Sequence, residues 1–150
     1  MIKTLPDKWI RKAIFDVINN ISVVDEMSGD VLVVKCYDSR VMADNDVTQY
    51  VLMTTQTNTV DKSTKCGNRW ESSILLDIVT TFNGAGNYGS RLLADNILDK
   101  VRALTDSLTL DVASGLEVVY QSQDFPNDLV TVTSTENIYR KFMRIELLID

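Results

Sequence analysis

Histidine is absent from this 150-residue chain. That removes the Ser-His-Asp and Cys-His nucleophile systems, the imidazole general base and every histidine-ligated zinc or iron site. Cysteine is scarce: Cys36 and Cys66 are the two present, too few for a structural zinc site. They are lone residues in different segments of a chain far larger than a disulfide-stapled scaffold, so reduced, partly buried thiols are expected. No apolar run approaches the roughly 20 residues that span a bilayer. The opening Met-Ile-Lys-Thr-Leu-Pro-Asp-Lys carries no apolar signal core, because Pro6, Asp7 and Lys8 interrupt it. The expectation is a protein that stays in the cytoplasm where it is made, so the sequon Asn20-Ile21-Ser22 carries no meaning.

Basic residues are outnumbered, with 15 Lys and Arg against 21 Asp and Glu and a net charge of −6. Non-specific DNA affinity comes from bases neutralising phosphates, and no basic run stands out to supply it. An acidic wall instead repels phosphates and lets DNA slide past without sticking. The apolar share of 45% and charged share of 24% are those of an ordinary globular domain, and the length fits a single domain, 1–150.

Hydrophobic periodicity gives the layout. Trp9, Ile10, Ala13, Ile14, Val17, Ile18 and Ile21 recur at helical spacing after Pro6, while Lys8, Arg11, Lys12 and Asp16 fall mostly on the other side. A strand from Val31 to Tyr37 reads as too continuously apolar to have a wet face. After a turn at Asp44-Asn45-Asp46, a second strand runs from Gln49 to Thr57, with Tyr50-Val51-Leu52-Met53 at its buried start. The polar residues 58–68 read as a hairpin loop, or as two strand ends extending beyond the body of the sheet. A third strand from about Arg69 to Phe82 alternates. Trp70, Ser72, Ile74, Leu76, Ile78, Thr80 and Phe82 face a core under a helix; Glu71, Ser73, Leu75, Asp77, Val79 and Thr81 form a mixed outer face.

Leu93, Ala94, Ile97, Leu98, Val101 and Leu104 then make a helical stripe. A fourth strand runs from Leu116 to Gln121, after Gly115. A long polar segment, 122–137, carries Phe125-Pro126. The last strand, from Ile138 to Ile149, sets Tyr139, Met143, Ile145, Leu147 and Ile149 against Arg140, Arg144 and Glu146. The reading is an α+β fold of order α-β-β-β-α-β-β, with two helices on one face of a mostly antiparallel sheet.

Gly84-Ala85-Gly86-Asn87-Tyr88-Gly89 follows the long strand and opens the second helix, so it matches the G-x-G-x-x-G pattern of dinucleotide binding. In that reading Gly86 admits a pyrophosphate, helix amides hold it and Asp111 takes the ribose hydroxyls. Against it, the preceding strand is long and alternating, where a Rossmann first strand is a short, continuously apolar run. The chain also offers at most one strand–helix–strand unit. Gly84 and Gly86 turning the chain, with Gly89 letting the helix pack closely, accounts for the pattern without a ligand.

Other candidates are weaker. Asp95 and Asp99 stand one helical turn apart, but Arg91 and Arg102 make them an ion-pair ladder rather than a metal or acid–base pair. Asp44 and Asp46 lack the rest of a calcium loop. Trp9 and Trp70 read as core aromatics. Phe125-Pro126, an aromatic in a polar loop, is a plausible contact point. No catalytic, cofactor or metal residue is assigned. Assembly contacts are expected at Glu71, Ser73, Leu75 and Asp77 of the third strand's outer face, and at Phe125 and Pro126.

The layout resembles the bacteriophage tail-completion and tail-terminator family over nearly the whole chain. The resemblance is carried by the leading amphipathic helix, Tyr37 and Val41 before the turn, Tyr50-Val51-Leu52, and the long strand from Trp70 to Phe82. It continues through Ser90-Arg91-Leu92-Leu93-Ala94-Asp95 to the closing Tyr139-Arg140-Lys141-Phe142-Met143-Arg144. The segment 122–137 and a second strand that starts without proline depart from the pattern. The resemblance implies a non-catalytic virion protein without cofactors. Copies would join head-to-tail in a ring, a hexamer or a dodecamer, between tail tube and head connector, assembled in the host cytoplasm. DNA would pass through the lumen unbound, with no membrane involved. A different portal-proximal connector or adaptor ring is the nearest other role. A nucleotide-binding enzyme using Gly84, Gly86, Gly89 and Asp111 is the reading from another class.

Overall fold

The computed structural model describes residues 4–39, 48–61, 69–83 and 91–150. Its elements in chain order are α1 (Asp7–Ile18), β1 (Ile21–Val24), β2 (Val31–Asp38), β3 (Gln49–Asp61) and β4 (Arg69–Asn83). They continue with α2 (Leu92–Leu104), a 3-10 turn (Val112–Ser114), β5 (Val118–Asp124), β6 (Leu129–Val132) and β7 (Glu136–Ile149). The α+β class holds, with two short strands, β1 and β6, beyond those expected. Cys66, Val41, Asp44 to Asp46 and the bend with Gly84, Gly86 and Gly89 lie outside the described residues.

Helix α1 starts at Pro6, whose carbonyl accepts from the Ile10 amide at 2.9 Å. It buries Ile10, Ala13, Ile14 and Ile18. It ends one turn earlier than the apolar spacing suggests. Asn19 leaves the helix in an extended conformation, and Asn20 takes the left-handed region at φ 60, which asparagine tolerates better than most residues. Ile21 therefore opens β1 instead of closing a helical turn. The Asn19 side-chain oxygen accepts from the Cys36 amide at 3.2 Å, pinning this reversal to β2.

The strands run β1-β2-β3-β4-β7-β5, with β6 also on β7. Five of the six pairings are antiparallel; β2 and β3 are parallel, with Cys36 opposite Val51. β4 is thus antiparallel to both neighbours, β3 and β7. A dinucleotide fold needs its glycine turn to follow a parallel central strand, so the nucleotide reading loses its frame.

Both helices pack on one side of this sheet. Ile10, Ile14 and Ile18 of α1, with Leu93, Ile97 and Val101 of α2, join one cluster with Val51, Ile74, Leu76, Ile78, Met143 and Ile145. Each such side chain contributes about 1.5–3 kcal/mol on burial. Trp9 and Trp70 pack against the same cluster, as expected of core aromatics.

Three strand expectations change. β2 has a wet face after all: Val31 and Val33 are 66% and 52% exposed while Val34 and Cys36 are buried. It lies one strand from the sheet's edge, and nothing among the described residues covers that side. In β3 a bulge between Met53 and Gln56 shifts the phase. Beyond it Gln56 takes the helix side, bonding Arg11 at 2.6 Å, and the strand runs on through Asn58 to Asp61. The segment 122–137 is not a loop. β5 and β6 both run antiparallel to β7 along one edge, the first opposite Arg144 to Ile149 and the second opposite Asn137 to Arg140. They are one edge strand, broken at 125–128, where Pro126 has no amide hydrogen to give the ladder.

Truncating the cluster separates its two faces. Ile145→Ala should lower unfolding free energy by about 3 kcal/mol. Val33→Thr, on the wet side of β2, should stay within about 0.5 kcal/mol. Urea denaturation monitored by Trp fluorescence measures both.

Candidate assembly surface

The helix-free face of the sheet is where the expected contacts of β4 lie, and it divides into two halves. In the first, Glu71 and Ser73 line an open depression of about 420 Å³ with Thr57, Thr59, Tyr120 and Glu146. Leu75 lies beside it, with Thr55 and Arg144. These side chains come from four strands because antiparallel register puts Thr57 opposite Ser73, Ser73 opposite Glu146, and Ser122 opposite Glu146 in turn. The Thr57 and Ser73 hydroxyls bond each other at 2.5 Å. The lining is mostly hydroxyl and carboxylate, on an open surface.

The second half is packed. Asp77 was expected to offer a contact, yet it is fully buried. Its carboxylate accepts from Arg140 Nε at 3.2 and 3.3 Å and from Arg140 Nη2. The guanidinium lies 5.6 Å from the Phe142 ring centroid. Tyr50 packs edge-on against Tyr37, with centroids 6.0 Å apart. Burial, then the Asp77 charge, pushes the Tyr50 hydroxyl above its ordinary range, partly offset by Arg140. Val79, also expected on an open face, is 5% exposed. A charged pair laid on a sheet without a helix over it is covered by its own strand neighbours.

Phe125 and Pro126 do not join Glu71, Ser73 and Leu75; they sit at the broken edge on the far side of β7. Phe125 is 47% exposed, and ion pairs staple the break on either side of it. Asp124 meets Arg144 at 3.3 Å on the helix-free face. Asp128 meets Lys141 at 3.1 Å, and Lys141 also reaches Asp95 of α2 at 2.5 Å. Asp95 thus bonds across to β7 instead of standing in the ladder expected along α2. Burial lowers the Lys141 pKa, but the bonds and charges of Asp95 and Asp128 outweigh it and the net shift is upward. Sequence reasoning overlooked Lys141; its odd number in the alternating last strand was the signal that it faces the helices.

Asp111 and Cys36 bond and pack within the fold. Asp111 accepts from Ala113 at the 3-10 turn and from Lys12 of α1 at 2.6 Å, which holds its carboxyl below the usual range, the Lys12 bond first. Burial, with the Asp38 charge, pushes the Cys36 thiol up to about 12, far from a nucleophile's range. Among the described residues no three His, Cys, Asp or Glu side chains stand together as a metal site, and no helix is long and apolar enough to cross a membrane.

No family model matches the sequence, and no curated protein matches it. The fold does have a counterpart among solved structures. A chain of "Virion of native gene transfer agent (GTA) particle" superposes with a TM-score of 0.52 at 13% identity, over 95% of this chain and 96% of that one. At that identity the likeness is one of fold, and it is nearly end to end.

Two outcomes follow from the ion pairs. Arg140→Met leaves Asp77 buried without its partner and should cost about 3 kcal/mol or more, while Asp77→Leu combined with Arg140→Met should recover most of that in urea unfolding. Lys141, raised when folded, contributes stability below its unfolded pKa and loses it as pH rises through the folded value. The alkaline fall in urea midpoint between about pH 9 and 12 should therefore be steeper in the native protein than in Lys141→Met.

Proposed function

We propose that this protein is a non-catalytic structural subunit of a phage-like virion, forming a ring at the head–tail joint or the end of the tail tube. The observation that carries the reading is the near end-to-end fold likeness to a chain of a virion particle. Three features support it. The layout from α1 to the basic-aromatic β7 resembles that of tail-completion proteins. The chain is acidic, −6 overall, which suits a lumen that must pass DNA without gripping it. Among the described residues no helix lies over one face of the sheet, and Glu71, Ser73 and Leu75 line it with open polar depressions, a surface suited to neighbouring proteins.

The localisation that follows is the virion, with tail tube and head connector as partners, DNA passing without specific contact, and no cofactor. Inactivating the gene in its parent phage or particle should leave filled heads and tails that do not join, and purified protein added to such a lysate should restore joined particles. Normal particles from the inactivated strain, counted by electron microscopy, would overturn the assignment.

A further inference from the structure

Along the edge of the sheet, β5 and β6 are held very differently. β5 is anchored: Val118 packs on the core, and Gln121 and Gln123 donate to the carbonyls of Thr105 and Arg102 at the end of α2. All four residues of β6 are exposed, whereas the equally short β1 buries Ile21 and Val23 against the core. Leu129 and Thr131 of β6 lie on the helix-free side, opposite Arg140 and Ile138. Val130 and Val132 turn toward the helix side, yet stay 37% and 66% exposed. Of residues 125–132 only Pro126 is not exposed.

Few bonds hold β6 to β7. Thr133 donates to the Glu136 carbonyl at 2.8 Å. Bonded pairs alternate along an antiparallel ladder, so the next two are Thr131 with Ile138 and Leu129 with Arg140. The same alternation turns the amides of Tyr139 and Lys141 the other way, toward Thr80 and Ile78 of β4. Residues 125–128 make no strand pairing, and one side-chain bond closes that end, between Asp128 and Lys141 at 3.1 Å. Ordering a segment costs conformational entropy, which apolar burial ordinarily offsets. Here a short ladder and one part-exposed ion pair stand in its place, and both exchange readily for bonds to water.

We propose that residues 125–132 form a strap that lifts from β7 while the rest of the sheet stays folded, with Asp128 on Lys141 as its latch. Thr131 and Ile138 wall the depression of about 280 Å³ that also holds Asp77 and Arg140, so lifting the strap opens that depression along the sheet's edge. Lys141 bonds Asp95 of α2 as well as Asp128, and the latch therefore ties the strap to the helix layer. The strap needs no second copy, so it stands apart from the ring reading.

Amide hydrogen exchange of the native chain, followed by NMR, resolves such openings residue by residue. The amides of Leu129, Thr131, Ile138 and Arg140 should form one set, with protection factors more than roughly tenfold below those of Tyr139 and Lys141, although the two sets alternate along β7. Urea below the unfolding transition should leave the first set unchanged, because lifting so short a strand exposes little surface. Asp128→Asn should lower that set's protection roughly threefold and leave Tyr139, Lys141 and the urea midpoint near their native values. Even protection along β7, a first set that follows urea with the global transition, or an Asp128→Asn variant whose strap amides are as protected as before would each overturn the strap. None of these results touches the gene-inactivation phenotype, so the strap and the virion role fail separately.

Discussion

Fourteen consecutive pairs hold β4 against β7 in one unbroken antiparallel register, from Trp70 beside Ile149 to Asn83 beside Glu136. No bulge interrupts them, so the alternation of both strands stays in phase along the whole length. Every second residue of each belongs to the helix side, and both helices rest on that shared stripe. A slip of one residue would turn Met143, Ile145, Leu147 and Ile149 outward together. The outer strands tolerate irregularity because the centre does not: β3 carries a bulge and β5–β6 a break, yet each has an uninterrupted neighbour, β4 or β7, to pair with.

That phase also sorts the charges. Arg140 and Lys141 are adjacent in sequence and point to opposite faces. Arg140 closes over Asp77 among aromatics, where the carboxylate is lost to water and the ion pair offsets its desolvation. Lys141 reaches through the helix layer to Asp95 and sideways to Asp128, tying α2, β7 and the broken edge at one ammonium. Neither arrangement resembles a reaction centre, since each base and acid is spent on its partner. The charges fix where elements sit.

Much of this was legible from the residues. The apolar stripe of α2, the alternation of β4 and β7, and the placement of both helices on one face follow directly from periods of 3.6 and 2. What stayed hidden depends on events a period cannot register. The left-handed turn at Asn20 converts an apolar continuation of α1 into β1. The bulge after Met53 changes which of the following threonines and glutamines face inward, and the pairing of residues 129–132 with β7 is decided by a neighbour distant in sequence. On the candidate surface, Glu71, Ser73 and Leu75 were correctly placed outward by alternation alone. Asp77 was placed on the right face, but its burial depends on an arginine 63 residues away, which no local pattern reveals.

The interruption at Pro126 reaches further than the strand it divides. A long, straight outer strand invites any extended backbone to continue the ladder, the first step toward fibrous precipitates. Here that border is cut into two short runs, and at the opposite border α2 lies along β1 and takes up the Val24 carbonyl through Asn96. Contacts with other molecules are thus left to side chains, which form and release without polymerising the backbone. A chain built this way can accumulate at high concentration without its strands joining end on end.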